Sequence, residues 1–268
     1  MSAKITHIAI LSENHSLAGD FYQWAFGLKT LGDGRPRRAA VVWDGYAGLN
    51  INPRTSGRPA RLDHFGIDVD DIDATCKRMA AAYPDVHWVA RPPSRPFAST
   101  TTHDPDGNVF DLSQKSAKNR SDVYATEATL TPRHFDHLGL RALNPEKLAE
   151  FYARMFDFTV EQKPGDPNFY VSDGHLTLVI MPWRIADFTG MGIVSPGLDH
   201  IGFAVESLEK FKADIDAIAT NTPRLAPFPF GQSPESKARL ELARASCPLC
   251  VHHLADIDGV LLEVREAA

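Results

Sequence analysis

Four short phrases recur along the chain and constrain its fold more than any other feature. They are His7-Ile8-Ala9-Ile10, His64-Phe65-Gly66-Ile67, His137-Leu138-Gly139-Leu140 and His200-Ile201-Gly202-Phe203. Each alternates a histidine and a small residue with two large apolar residues, the period of a β-strand with unlike faces. The bulky face must be buried, most simply against a helix, and the face carrying histidine then borders a cavity.

A helical stripe follows each phrase, at i, i+3, i+4 spacing. The stripes are Leu17, Phe21, Trp24, Ala25; then Ile72, Cys76, Met79; then Leu148, Phe151, Tyr152, Met155; and last Leu208, Phe211, Ile215, Ile218. Asn144-Pro145 and Ser207 supply start signals for the last two. All the stripe aromatics, Trp24 and Tyr152 included, are expected in the core. Short strand-like runs come next, among them Ala39–Trp43, Leu49–Asn52, Phe169–Val171 and Leu176–Ile180. Units two and four close on matching phrases, Asp104-Pro105-Asp106-Gly107 before Val109–Asp111 and Asp256-Ile257-Asp258-Gly259 before Val260–Glu263, each a tight turn into a final strand. The chain thus reads as strand–helix–three strands, four times over, an α+β fold. Lys115 to Thr131 is polar and aperiodic, which predicts a domain over 1–115, a linker over 116–132 and a second domain over 133–268.

Composition narrows the partners. With 28 basic against 34 acidic side chains the net charge is −6, which argues against a nucleic-acid or anionic-membrane binder. No apolar run approaches the roughly 18 residues of a membrane span, and the histidine-bearing N-terminal stretch does not read as a signal peptide. Three cysteines make no disulfide framework. No phosphate loop or dinucleotide fingerprint is present. The expectation is a cytoplasmic protein with a small-molecule substrate; a homo-oligomer is compatible with the sequence.

The histidine strands and the two Asp-x-Asp-Gly-x-x-x-(Asp/Glu) phrases resemble the vicinal oxygen chelate superfamily of glyoxalases, bleomycin- and fosfomycin-resistance proteins and extradiol dioxygenases. The resemblance covers nearly the whole chain. It implies four βαβββ units paired into two cupped domains holding a divalent metal, the arrangement of the two-domain extradiol enzymes. It does not choose the reaction.

Strand parity puts Glu263 on the face opposite Val260, Leu262 and Val264, and Asp111 opposite Phe110 and Leu112. Each half thus offers two strand-borne histidines and one acid. The C-terminal set, His137, His200 and Glu263, is favoured as the metal site, with Fe(II) first and Mn(II) or Zn(II) as alternatives. The N-terminal set, His7, His64 and Asp111, is a relic or a second metal site. Glu263 follows His200 by 63 residues, whereas Asp111 follows His64 by 47. The excess lies in the proline-rich, loop-like stretch Thr222–Ser246, read as a lid whose Phe228, Phe230, Lys237, Arg239 and Arg244 suit an anionic or aromatic ligand. The last strand of unit three, Leu178-Val179-Ile180-Met181, offers no fourth ligand, which weakens a glyoxalase or epimerase reading. The histidines and tyrosine implied by the extradiol resemblance are replaced at the expected spacings by Ile185, Arg244 and His253. His252 and His253 are therefore the candidate proton carriers, of which alternation lets only one face the cavity; His253 is favoured. The pair Cys247 and Cys250 reads as structural or surface cysteines, with a thiol role left open. His175 is expected in solvent, and Tyr170 and Arg184 either line the cup or lie exposed. An extradiol-type dioxygenase acting on a catechol-like molecule is the leading reading. A non-oxidative lyase, isomerase or thiol transferase follows, and a metal-free binding protein comes third.

Overall fold

The four histidine phrases form the middles of four nine-residue strands, β1 (Lys4–Ser12), β5 (Arg61–Val69), β9 (His134–Ala142) and β13 (Gly197–Val205). The computed structural model describes residues 3–30, 39–93, 97–115, 129–189, 194–249 and 251–267. Unit one continues through α1 (His15–Phe26), β2 (Lys29–Thr30), β3 (Ala40–Trp43) and β4 (Gly48–Pro53). Unit two continues through α2 (Ile72–Ala82), β6 (Trp88–Ala90), β7 (Thr100–His103) and β8 (Val109–Gln114). Unit three adds α3 (Pro145–Phe156), β10 (Thr159–Glu161), β11 (Phe169–Ser172), β12 (Thr177–Pro182) and the short α4 (Ile185–Thr189). Unit four adds α5 (Leu208–Asn221), α6 (Pro234–Ser246), β14 (His252–Ala255) and β15 (Leu261–Glu266). The strands make two sheets, β2-β3-β4-β1-β5-β8-β7-β6 and β10-β11-β12-β9-β13-β15-β14. This is the expected α+β pairing of units, two to a sheet. Most of the linker, residues 116–128, lies outside the described residues.

Local chemistry starts the helices where the sequence suggested. The Asn144 side chain accepts from Lys147 N at 3.1 Å ahead of Pro145, and Ser207 accepts from Lys210 N at 3.3 Å. The bulky strand faces and the helix stripes share one core between the sheets. Phe26 of α1 stacks on Phe203 of β13 at 3.8 Å, and Tyr152 of α3 packs against Phe65 and Phe110 of the other sheet. Trp24 departs from expectation and is 70% exposed. Phe21, Tyr22, Ala25 and Phe26 define the buried face, and Trp24 lies about 100° around the helix from Ala25, outside it.

The two halves dock through reciprocal bonds. Tyr152 Oη donates to Asp104 Oδ2 at 2.7 Å, and Tyr22 Oη to Asp256 Oδ2 at 2.9 Å. Asp44 accepts from Phe135 N, as Asp173 accepts from Ile5 N. The first aspartate of each closing phrase therefore does two jobs, because Asp104 and Asp256 also accept from Asn108 N and Val260 N within their own turns.

Unit four departs from the expected three strands. Its first short strand is reduced to a single bridge between Phe228 and Ala255, in a stretch where Pro223, Pro227 and Pro229 remove backbone donors. The remainder of Thr222–Ser246 is also not a loop. It forms a 3-10 turn (Pro223–Leu225) and then α6, started by a capping box between Ser233 and Ser236.

Candidate metal centre

The ladders β1–β5 and β9–β13 skip one residue ahead of every histidine: Thr6, Asp63, Asp136 and Asp199 fall out of the cross-strand register. Such a bulge breaks strict alternation and turns two successive side chains toward one face. Three of the four skipped residues are aspartates, and each reaches the Nδ1 of the histidine that follows it. The distances are 2.9 Å for Asp63–His64, 2.9 Å for Asp136–His137 and 2.8 Å for Asp199–His200. An Nδ1–H donated to a carboxylate leaves Nε2 as the free lone pair, which is how metal-bound imidazoles are oriented. Glycines make room for the rings. A Cβ on Gly202 would lie 2.1 Å from His137 Cε1, and one on Gly139 would lie 2.2 Å from His200 Cε1.

Register then brings the acid to the histidines, since His137 faces Gly202 on β13 and Gly202 faces Glu263 on β15. In the C-terminal cup His137 Nε2 and His200 Nε2 are 3.1 Å apart, and Glu263 Oε2 is 3.6 and 3.4 Å from them. Nitrogen and oxygen ligands at about 2.1 Å from one ion would be separated by about 3.0–3.4 Å. Both Glu263 oxygens are buried with no hydrogen-bond partner, which protein folds avoid unless a cation or ligand completes the site. The residues therefore fit a divalent metal.

His253 pairs directly across from Glu263, and its Nε2 lies 3.4 Å from Glu263 Oε1. Both of its ring nitrogens are buried without a hydrogen-bond partner. His252 does not join this group. It points to the other face, its ring 6.0 Å from Phe211, and burial beside Lys212 pulls its pKa down to about 4.

A fourth donor comes from an unexpected element. Cys247, the residue that ends α6, is buried with Sγ 3.9 Å from His137 Nε2, and it completes a four-residue group with His137, His200 and Glu263. Tyr170, Val179 and Met181 pack around it, so Tyr170 does line the cup, whereas Arg184 and His175 are exposed. Cys250 lies outside the described residues. The helix that carries Cys247 is pinned to the site's outer carboxylate: Arg239 donates to Asp199 Oδ1 at 2.6 Å, and Arg141 donates to the same oxygen and to Ser246 Oγ, both at 2.8 Å. Arg239 is thus already paired inside the protein. A cleft of about 540 Å³ runs between the halves and reaches Asp63 and Asp199, but no metal-ligand side chain lines it.

The electrostatics favour a charged cluster. Burial would push His200 down, but the Glu263 charge and the Asp199 hydrogen bond carry its pKa up to about 9. His137 is raised likewise, against burial, mainly by Asp136. Glu263 is held well below the carboxylate range because the His200 charge and the neighbouring His137 and His253 imidazoles together outweigh its burial. Burial pushes the Cys247 thiol up, but hydrogen bonds from His137 and His200 bring it below its ordinary value.

The aspartates were not anticipated from the sequence, although the signal is the Asp-His dipeptide at three of the four phrases. For Cys247 the sequence leaves a thiol role open without locating it, because its place depends on where a helix ends in space.

Comparison with known proteins follows the same lines. Residues 4–112 match the family model of the Glyoxalase/Bleomycin resistance protein/Dioxygenase superfamily. The chain carries the vicinal oxygen chelate fold. The Mn(II)-bound glyoxalase from Novosphingobium aromaticivorans superposes with a TM-score of 0.64 at 15% identity, over 97% of this chain and 81% of that one. The 2,2',3-trihydroxybiphenyl 1,2-dioxygenase from Sphingomonas wittichii strain RW1 gives 0.60 at 14% identity, over 100% and 91%. A manganese-dependent 2,3-dihydroxybiphenyl 1,2-dioxygenase of Geobacillus genomosp. 3 is 21% identical over 193 residues, which is 66% of this chain. The match spans 60% of that relative's length.

Proposed function

We propose that this chain is a metal-dependent, extradiol-type dioxygenase acting on a small catechol-like molecule at His137, His200 and Glu263. The observation that carries the reading is the convergence of His137 Nε2, His200 Nε2 and Glu263 Oε2 within 3.6 Å of one another, with the His253 imidazole beside Glu263. In this reading residues 133–268 are the catalytic domain, and Fe(II) is the first candidate ion. The manganese in the names of two similar proteins makes Mn(II) the second. A divalent ion at this set would chelate two adjacent substrate oxygens and polarise them toward reaction with dioxygen.

The chain's own residues have separate tasks. His253, next to Glu263 and without another partner, accepts the proton released when a catechol hydroxyl enters. Asp136 and Asp199 hold the imidazoles in the tautomer with Nε2 toward the cup. The α6 helix, tied down by Arg239 and Ser246, excludes water from a site whose ligands are all at most 1% exposed. Entry of substrate then requires α6 to shift. An oxygen-electrode assay across catechols with the iron- or manganese-loaded protein tests the reading, with one dioxygen consumed per substrate as the expected result.

Cys247 favours a second reading. With the Cys247 thiol beside the histidines, a bound ion would have a fourth protein donor and fewer positions for substrate and dioxygen together, which suits a non-oxidative lyase, isomerase or thiol transferase. Turnover at an undiminished rate without oxygen would select that alternative.

A further inference from the structure

We propose that the N-terminal cup is a second divalent-metal centre, built from His7, His64 and Asp111, so that one chain holds two ions. The proposal is separate from the reading of the C-terminal site and rests on the register of the first sheet.

That register repeats the C-terminal one position for position. His7 faces Gly66 on β5, and Gly66 faces Asp111 on β8, as His137, Gly202 and Glu263 do in the other sheet. His64 faces Ala9, the counterpart of His200 facing Gly139. The His7 and His64 rings meet edge to face at 5.5 Å, as those of His137 and His200 do at 5.1 Å. One donor atom from each of His7, His64 and Asp111 lies within 4.8 Å of the others, with His64 Nε2 at 3.4 Å from Asp111 Oδ2.

The surroundings aim these donors inward. Asp63 accepts from His64 Nδ1 at 2.9 Å, which turns Nε2 toward Asp111. Thr101 Oγ1 donates to Asp111 Oδ1 while accepting from Arg91 Nε at 2.7 Å, which directs the other carboxylate oxygen at His64. Gly66 is a mid-strand glycine, a weak strand former, and a Cβ there would lie 2.0 Å from His7 Cε1. The position therefore keeps the His7 ring over the sheet. All three donors are buried, and Phe97 closes the cup with its ring 4.1 Å from His7, on a backbone held at φ 68°.

The two cups differ in what accompanies the ligands. Thr101 occupies the place that His253 holds beside Glu263, and among the described residues no cysteine joins the N-terminal set. Two imidazoles and one carboxylate suit a first-row ion such as Mn(II), Fe(II) or Zn(II). Among the described residues that centre thus has no imidazole beyond its own ligands at the place where His253 stands beside Glu263.

The test is metal stoichiometry on the full chain, stripped with chelator and titrated with Co(II), with content read by plasma mass spectrometry and absorption. Wild type should bind two equivalents, and Asp111→Ala and His64→Ala should each bind one. In both variants the near-ultraviolet thiolate-to-cobalt band from the Cys247 site should remain. Glu263→Ala should also bind one ion, without that band, and the double variant Asp111→Ala, Glu263→Ala none. Asp111→Asn, which keeps the shape at Thr101, should weaken the second ion at least tenfold with near-ultraviolet circular dichroism unchanged. A wild-type stoichiometry of one that the Asp111 variants leave unchanged overturns the proposal. One ion lost with Asp111→Ala and kept in Glu263→Ala upholds it and instead removes the C-terminal metal reading.

Discussion

Replacing Gly202 by alanine gives the sharpest test of how the strands build the C-terminal centre. The added Cβ would lie 2.1 Å from both Cε1 and Nδ1 of His137, so the ring must retreat by about 1.3 Å to reach ordinary contact at 3.4 Å. A metal–nitrogen bond is only about 2.0–2.1 Å long, so a displacement of that size breaks it. The ring also loses its 2.9 Å bond to Asp136, a carboxylate that Arg265 holds from the other side. Disrupting a supporting partner alone typically costs 10–100-fold in metal affinity. Losing one of three or four protein ligands should cost at least about 100-fold, or about 2.7 kcal/mol.

The fold should survive, because overpacking one buried site costs about 1–3 kcal/mol. Titration of metal-free Gly202→Ala against a competing chelator, with circular dichroism as the check on folding, measures both effects. Gly139→Ala, which displaces His200 in the same way, should behave alike. A folded Gly202→Ala protein that binds metal with wild-type affinity at the C-terminal site would show that His137 is not a ligand.

Other consequences are open to measurement. Cys247→Ala should abolish the thiolate-to-cobalt band while retaining the ion on His137, His200 and Glu263, whereas an unchanged band would place the thiol outside the coordination sphere. Asp199→Asn should weaken the C-terminal ion about 10–100-fold, and equal affinity would show that Asp199 only anchors Arg141 and Arg239. His64 and His200 have folded pKa values raised to about 9, so their contribution to the metal-free protein is fully present below about 6.5 and is lost as pH rises through about 9. The metal-free protein should therefore melt lower at pH 9 than at pH 6.5, and metal binding at pH 7 should release protons; a melting temperature that rises over this range would contradict the charged clusters. Tyr152→Phe removes the hydroxyl held by buried Asp104 and should cost about 1–3 kcal/mol in denaturant unfolding without changing metal content.

Much of this architecture is legible from residue periodicity. The alternation of histidine, glycine and bulky residues located the four central strands, and the caps at Asn144 and Ser207 located two helix starts. Parity alone put Glu263 and Asp111 on the faces opposite their apolar neighbours. Parity fails at a bulge, however, and the four bulges fall at Thr6 and at Asp63, Asp136 and Asp199, the three supporting carboxylates. It also cannot be carried across the Asp258-Gly259 turn, so only the pairing of β14 with β15 separates His253 from His252. The α6 helix was hidden for a different reason. The prolines before it look like a loop, and its apolar stripe is thin, with Ala243 its one buried residue. Ser233-Pro234 has the same cap-then-proline form as Asn144-Pro145, so its start was readable.

The two cups show which part of the protein decides the chemistry. Strand register fixes the donors, and it is the same in both halves, with Gly66 beside Asp111 and Gly202 beside Glu263. The differences lie in the segment between the helix and the last strand of units two and four. In unit two that segment contributes Thr101 and the Phe97 cover; in unit four it contributes α6, Cys247 and His253. The segment of unit four therefore brings a thiol and a further imidazole to the centre that the strands build. A helix fastened through Arg239 to Asp199, the carboxylate that orients His200, also couples the cover to the ligand beneath it. If α6 moves to admit a substrate, as the proposed function requires, the Arg239–Asp199 contact must break or stretch, and opening the site would then weaken the support of its second histidine.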